Sequence, residues 1–191
     1  SRWYSQAGTP RLTIMRDNAG DNLTLRLSQS LSPTKAGTPT QALPLPIRMG
    51  FLDAKGAPAS FALDGGDMQK EALWLFEDAK RDIQVQFADD AKGPFTPSYL
   101  RDFSAPVRIS DDLSDEERLH LMGFDSDLFN RWDMAQKLLE KAVHQILGDA
   151  LDTTLLAQLG DAYRHVLAHT DLRDDFKALM MAMPGQAVIE A

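Results

Sequence analysis

Cysteine is absent from the 191 residues. No disulfide framework and no thiolate metal site can be built from such a chain. The absence fits a reducing compartment, and a cytoplasmic location is the expectation. Long apolar runs are missing too. The longest is Ala178-Leu-Met-Met-Ala-Met183, far short of the roughly 20 residues a membrane helix needs. No signal-peptide pattern opens the chain. The start Ser1-Arg2-Trp3, without Met, reads as cut from a longer protein. Positive charge is in deficit, with 20 Lys and Arg against 28 Asp and Glu, a net charge of -8. That balance lacks the basic stripe that displaces counterions from phosphate, so neither a nucleic-acid nor a membrane partner is expected. The recurrent catalytic strings are also missing. There is no His-Glu-x-x-His, no Gly-x-Ser-x-Gly, no Gly-rich phosphate loop and no calcium-loop spacing. A content of 43% hydrophobic and 25% charged residues remains, which is that of an ordinary globular chain.

What is present falls into two halves with different periods. Up to about residue 109 the apolar residues alternate, as on half-buried strands. Leu12 and Ile14 form one run; Leu23, Leu25 and Leu27 form the next. Between them Asp17-Asn-Ala-Gly-Asp-Asn22 is turn chemistry, so the pair predicts a hairpin. Ile47, Met49 and Phe51 alternate up to a turn at Asp53-Ala-Lys-Gly56. Ala72-Leu-Trp-Leu-Phe76 is apolar on both faces and reads as a central strand. Asp78-Ala-Lys-Arg81 turns the chain into a strand at Ile83, Val85 and Phe87, and Val107 with Ile109 predict a last one. Pro33 to Pro46 carries four prolines and reads as a loop or edge element. Short strands at this spacing predict an immunoglobulin-like β-sandwich over residues 1–110.

Residues 111–191 read as an all-helical segment. Ser114-Asp-Glu-Glu117 has capping-box spacing and predicts a helix that stops at Gly123. Asp125 is then placed to cap a second helix, in which Leu128, Trp132, Ala135, Leu139, Ala142 and Ile146 form one apolar stripe up to Gly148. Thr153 to Ala168 predicts a third, with Leu155, Leu159, Tyr163 and Val166 inward, and Thr170 or Asp171 caps a fourth that ends before Pro184. Short connections favour antiparallel neighbours.

The candidate chemistry is sparse. His165-Val-Leu-Ala-His169 puts two His at i and i+4, the spacing of a shared zinc. Position 166 is Val where a zinc peptidase needs Glu, and Asp161 offers His165 a simple ion pair, so a structural pair is the expectation. His120 and His144 are isolated. The carboxylates Asp111, Asp112, Asp115, Glu116 and Glu117 read as a solvated linker and helix N-terminus rather than an acid pair or calcium site. Gly65-Gly66 is a turn signal, Trp132 reads as core, and Arg131 sits four residues after Asp127 as an ion-pair partner. No catalytic, metal or cofactor-binding residue is assigned.

Four strings occur in order: Trp3-Tyr-Ser-Gln-Ala-Gly-Thr-Pro10, Ser98-Tyr-Leu-Arg-Asp-Phe-Ser-Ala-Pro-Val107, Phe129-Asn-Arg-Trp-Asp-Met-Ala-Gln136, and Asp175-Phe-Lys-Ala-Leu179 through Pro184. Together they resemble the bacterial aminopeptidase N family of zinc-dependent exopeptidases. Asp133 and Met134 stand where that family usually has Glu and Ala. The resemblance implies the middle β domain, which braces the catalytic domain, and the first helices of the C-terminal domain, which covers the active site. It also implies a longer enzyme that removes N-terminal residues from peptides with one zinc. The family's metal ligands and its Gly-Ala-Met-Glu-Asn strand do not occur here. The fragment is therefore expected to be inactive alone, with the catalytic domain and remaining helices as its partners. Trp3, Tyr4, Leu179, Met180, Met183 and Val188 are the apolar residues expected to lie bare. The alternatives are a stand-alone protein-interaction module and a small metal-binding protein using His165 and His169.

Overall fold

The computed structural model describes residues 3, 8–19, 22–31, 40–148, 150, 152–183 and 185. Two compact units result, Ser1–Ala54 with Pro58–Asp112, and Lys55–Ala57 with Leu113–Ala191.

The described residues of the first unit form eight strands: β1 Arg11–Ala19, β2 Asn22–Ser30, β3 Leu45–Leu52, β4 Phe61–Leu63, β5 Glu71–Phe76, β6 Lys80–Phe87, β7 Thr96–Tyr99 and β8 Arg108–Asp111. One sheet has the order β4-β6-β2-β1-β8 and the other β5-β3-β7. The β1–β2 hairpin pairs Ala19 with Asn22, so the strands extend further into the expected turn than alternation alone suggests. Leu23, Leu25 and Leu27 point inward, while Arg26 between them is exposed. From the opposite sheet Ile47, Met49 and Phe51 are buried in turn. Phe51 of β3 meets Phe61 of β4 at 4.8 Å and Phe87 of β6 at 5.1 Å, both edge to face, which ties the two sheets together. Burial of each such large side chain contributes about 1.5–3 kcal/mol. Sheet β4-β6-β2-β1-β8 is antiparallel except where β8 runs parallel to β1, from Arg11↔Arg108 to Ile14↔Asp111.

Two expectations for this unit are corrected, and two strands were unforeseen. Ala72 to Phe76 is not a central strand: β5 lies at the edge of its sheet, with Leu73 62% and Leu75 53% exposed and only Ala72 and Phe76 fully inward. Its outward leucines gave the sequence the look of a strand buried on both faces. Pro46 lies inside β3 opposite Leu75, on the stretch before β7 joins at Met49, where a missing N–H is tolerated. β4 and β7 were not foreseen, since three residues without alternation and a strand containing Pro97 carry no period.

The second unit holds four helices among the described residues: α1 Asp115–Phe124, α2 Leu128–Leu147, α3 Thr153–Ala168 and α4 Asp174–Met180. The capping box forms as read: Glu117 N–H donates to Ser114 Oγ at 3.2 Å, and Ser114 N–H to Glu117 Oε2 at 2.8 Å. Gly123 does not stop α1; it is buried inside the helix, which ends at Phe124. Asp125 caps the end of α1, and Asp127 is the N-cap of α2, accepting from Asn130 N–H at 2.8 Å. Asp152 caps α3 by accepting from Thr154 and Leu155 N–H. α4 begins after Arg173, two residues later than Asp171 and three later than Thr170, the expected caps, and Asp171 N–H donates to His169 Nδ1 in the preceding turn. The stripe of α2 is rotated from the expected one. Arg131, Met134, Ala135, Leu138 and Ala142 are buried, whereas Leu128 and Ile146 are 46% and 53% exposed. A charged residue at position 131 hid the true inward face from a periodicity of apolar residues.

Candidate functional site

His165 lies on α3, but His169 is the residue just past the helix end, with extended backbone angles. Their rings stand 6.2 Å apart and nearly perpendicular. His165 packs against Phe124 at 4.7 Å, and His120 against the same ring at 5.1 Å. Asp161 pairs with Arg164 rather than with His165. Among the described residues no three His, Asp or Glu side chains come together as a metal site. The pair does not fit a zinc: no third ligand stands beside it among the described residues, and the helical i,i+4 geometry is lost at His169. His144 lies 3.9 Å from Glu140 one turn before it.

The acidic stretch is dispersed rather than gathered into a site, and it is not a solvated linker throughout. Asp112 accepts from Arg16 Nε at 2.9 Å and Arg16 N–H at 2.7 Å, which fastens the end of β8 to β1 within the first unit. Asp115 pairs with Lys141, and Glu117 serves the capping box. Trp132 is half-buried rather than core. Arg131 donates to the carbonyls of Met122 and Gly123 at 3.0 and 2.6 Å, so α2 supplies the donors that the C-terminus of α1 lacks. Burial holds the Arg131 pKa below its ordinary value, and the charge of Asp125 opposes that fall.

A second polar constellation was missed in the sequence. On β5, Glu71 Oε1 accepts from Arg48 Nη1 of β3 at 2.8 Å, and Oε2 forms an ion pair with Arg101, 2.8 Å from its Nε. Arg101 is buried and lies in a 3₁₀ turn, Arg101–Phe103, directly after β7. Around it Leu100, Asp102 and Phe103 all have positive φ, 54°, 55° and 49°. Non-glycine residues in this region cost about 1–3 kcal/mol each, and persist only where their surroundings fix them. Here Arg101 is held by Glu71, and Ser104 Oγ accepts the N–H of Arg48 at 3.0 Å. Phe103 is presented 57% exposed. Gly50 makes room for the arginine: a Cβ there would lie 2.8 Å from Arg101 Nη1 and 3.2 Å from the Lys70 carbonyl. Such an arrangement holds a loop in shape. The only sequence signal was indirect, since Leu100 to Phe103 lies within one of the four strings.

Of the residues expected to lie bare, Leu179 and Met183 are exposed, Met180 is fully buried, and Trp3 is half-buried, with its Nε1–H on the Pro44 carbonyl at 3.2 Å. Tyr4 and Val188, like the stretch 32–39 of the proline-rich segment, lie outside the described residues.

Comparison with known proteins places this geometry. The family model "Domain of unknown function (DUF3458) Ig-like fold" matches residues 8–112, and "Domain of unknown function (DUF3458_C) ARM repeats" matches residues 115–191. The immunoglobulin-like sandwich followed by helices is thereby borne out. The chain is similar to aminopeptidase N of Haemophilus influenzae, 30% identical over 97% of this chain and 21% of that protein. It is similar also to aminopeptidase N of Caulobacter vibrioides, 36% identical over 96% and 20%, and of Escherichia coli, 29% identical over 96% and 21%. The crystal structure of Legionella pneumophila aminopeptidase A in complex with aspartic acid has the same fold over 96% of this chain and 19% of that one, with a TM-score of 0.72 at 23% identity. The chain thus spans about a fifth of the length of the curated relatives it matches. An Ig-like sandwich joined to a helical segment, matched over nearly all its length by the two models, means that the chain belongs to the DUF3458 family.

Proposed function

We propose that this chain is a non-catalytic part of a zinc aminopeptidase of the aminopeptidase N type. In this reading the sandwich braces the catalytic domain, and α1 to α4 begin the helical cover over its active site. The longer enzyme removes N-terminal residues from peptides in the cytoplasm, a role in peptide catabolism, and its zinc is held by residues outside this chain. The observation that carries the reading is the coverage: aminopeptidases N match 96–97% of this chain with only about a fifth of their own length. A strained loop that presents Phe103 to solvent, and an edge strand whose Leu73 and Leu75 point outward, suit a bracing surface.

A chimera tests it. The matched stretch of the Caulobacter vibrioides relative is deleted, or replaced by this chain, and hydrolysis of an aminoacyl nitroanilide is measured. Loss on deletion, recovery in the chimera and no turnover by this chain alone with added zinc are expected. Zinc-dependent turnover by the purified chain, abolished in His165→Ala, would overturn the proposal.

A further inference from the structure

The turn that follows β7 combines backbone strain with an anchor that solvent can reach. Leu100, Asp102 and Phe103 all sit in the left-handed region, where glycine is at ease and other residues are not. Leu100 and Ala105 are buried and stand as posts on either side. Between them Asp102 and Phe103 face water. Polar bonds fix the turn to the sheet. Ser104 N–H donates to the Arg101 carbonyl at 3.1 Å, Ser104 Oγ accepts from Arg48 N–H, and the Arg101 guanidinium is paired with Glu71. The members of this anchor differ in exposure. The Arg101 side chain is 8% exposed, against 39% for Glu71 and 36% for Arg48. Both oxygens of Glu71 are committed, one to each arginine. The carboxylate is thus open to its surroundings, while the deeper charge that it holds is not.

We propose that the turn 100–104 is a latch with a closed and an open state, and that Glu71 is its catch. In the closed state Arg101 is drawn in over Gly50, and Phe103 is presented at one fixed place. In the open state Arg101 leaves for water, Asp102 and Phe103 return to ordinary backbone angles, and the aromatic ring has no set position. The sandwich stays folded, because the buried posts bound the change. Glu71 is therefore a positioning residue for Phe103. A partner that meets Phe103 in its fixed place binds the closed fraction alone, and its apparent affinity scales with that fraction. The presentation of Phe103 is thereby set from a carboxylate on a different strand, which the partner need not touch.

The test uses the full chain and two substitutions. Glu71→Gln keeps the size of the catch but offers one acceptor oxygen where two are in use. Chymotrypsin under native conditions cuts after Phe103, and the rate reads the open population when opening and closing are fast. The cut is expected to be roughly tenfold faster in Glu71→Gln than in the unsubstituted chain. The Ser104 and Arg48 amides should exchange faster to match, while those of Leu25 and Ile83 in the sandwich keep their protection. Asp102→Gly separates a latch from a merely structural ion pair, because glycine removes the left-handed penalty and so favours the closed turn. It should slow the cut in the unsubstituted chain, and should bring Glu71→Gln back to within about threefold of that chain. Equal cutting of Glu71→Gln and the unsubstituted chain overturns the proposal. So does a double variant cut as fast as Glu71→Gln, since strain would then not drive the opening. Loss of Leu25 and Ile83 protection together with the turn would overturn it as well, by showing that the ion pair holds up the whole sandwich.

Discussion

Gly50, Glu71 and Arg101 form a unit in which each residue explains another. The guanidinium of Arg101 passes over Gly50 to reach Glu71, and the turn Arg101–Phe103 holds its positive-φ neighbours because that arginine is anchored. Gly50→Ala should therefore cost about 1–3 kcal/mol, the usual penalty for overfilling a packed site. Chemical denaturation would show it as a lower midpoint at constant slope; an unchanged midpoint would mean that the arginine can move aside. A second prediction concerns pH. Burial pushes the Tyr163 phenol up to about 12, above the roughly 10 of an unfolded tyrosine. Its folded pKa is raised, so its contribution is fully present below about pH 10 and is lost as pH rises through about 12. Tyr163→Phe should lose about 1 kcal/mol at neutral pH with the hydrogen bond to Met180, and should show a shallower fall in stability between pH 10 and 12. An identical alkaline limb in both proteins would refute this. These residues also mark the limit of what could be read beforehand. Ser114 and Glu117 were legible because their partners are three residues apart. Glu71 and Arg101 were not, because their partnership is set by strand order and no local period encodes it.

At the level of elements, strands and helices were recognised wherever the alternating or helical period was unbroken, as in β2 and α3. Errors fell where a residue did duty against its type. Leu73 and Leu75 are apolar yet outward, which made an edge strand look central. Arg131 is charged yet inward, which turned the expected stripe of α2 aside. That arginine joins two helices: it caps α1 through the Met122 and Gly123 carbonyls, and it lies in the field of the fully buried Asp125. Arg131→Met keeps the bulk but removes the donors and the counter-charge. A loss of about 1–3 kcal/mol is expected for each buried carbonyl left without its donor. Circular dichroism melting of the variant should show the helical signal lost at a clearly lower temperature. A shift of less than a degree would show that other groups satisfy these carbonyls.

For the molecule as a whole, the lack of a third ligand beside His165 and His169 among the described residues has a thermodynamic signature. A site that binds only the folded state at 100 times its dissociation constant would add about 2.7 kcal/mol. Zinc at micromolar concentration should leave the melting temperature of this chain where it was, and should do so equally in His165→Ala. A zinc-dependent rise of several degrees would restore the metal-binding alternative. The parallel pairing of β1 with β8 carries a different consequence, a mechanical one. Residues 11–14 run alongside 108–111 in the same direction, and Arg16 grips Asp112 at the far end. Tension entering before Arg11 and leaving after Asp112 pulls these two strands past each other along their length. Their pairings then resist in shear, all at once, instead of opening one by one like a zip. The first unit is thereby suited to pass load between whatever is tethered at its two ends without yielding first, and Asp112→Asn should lower the rupture force in a single-molecule pulling experiment.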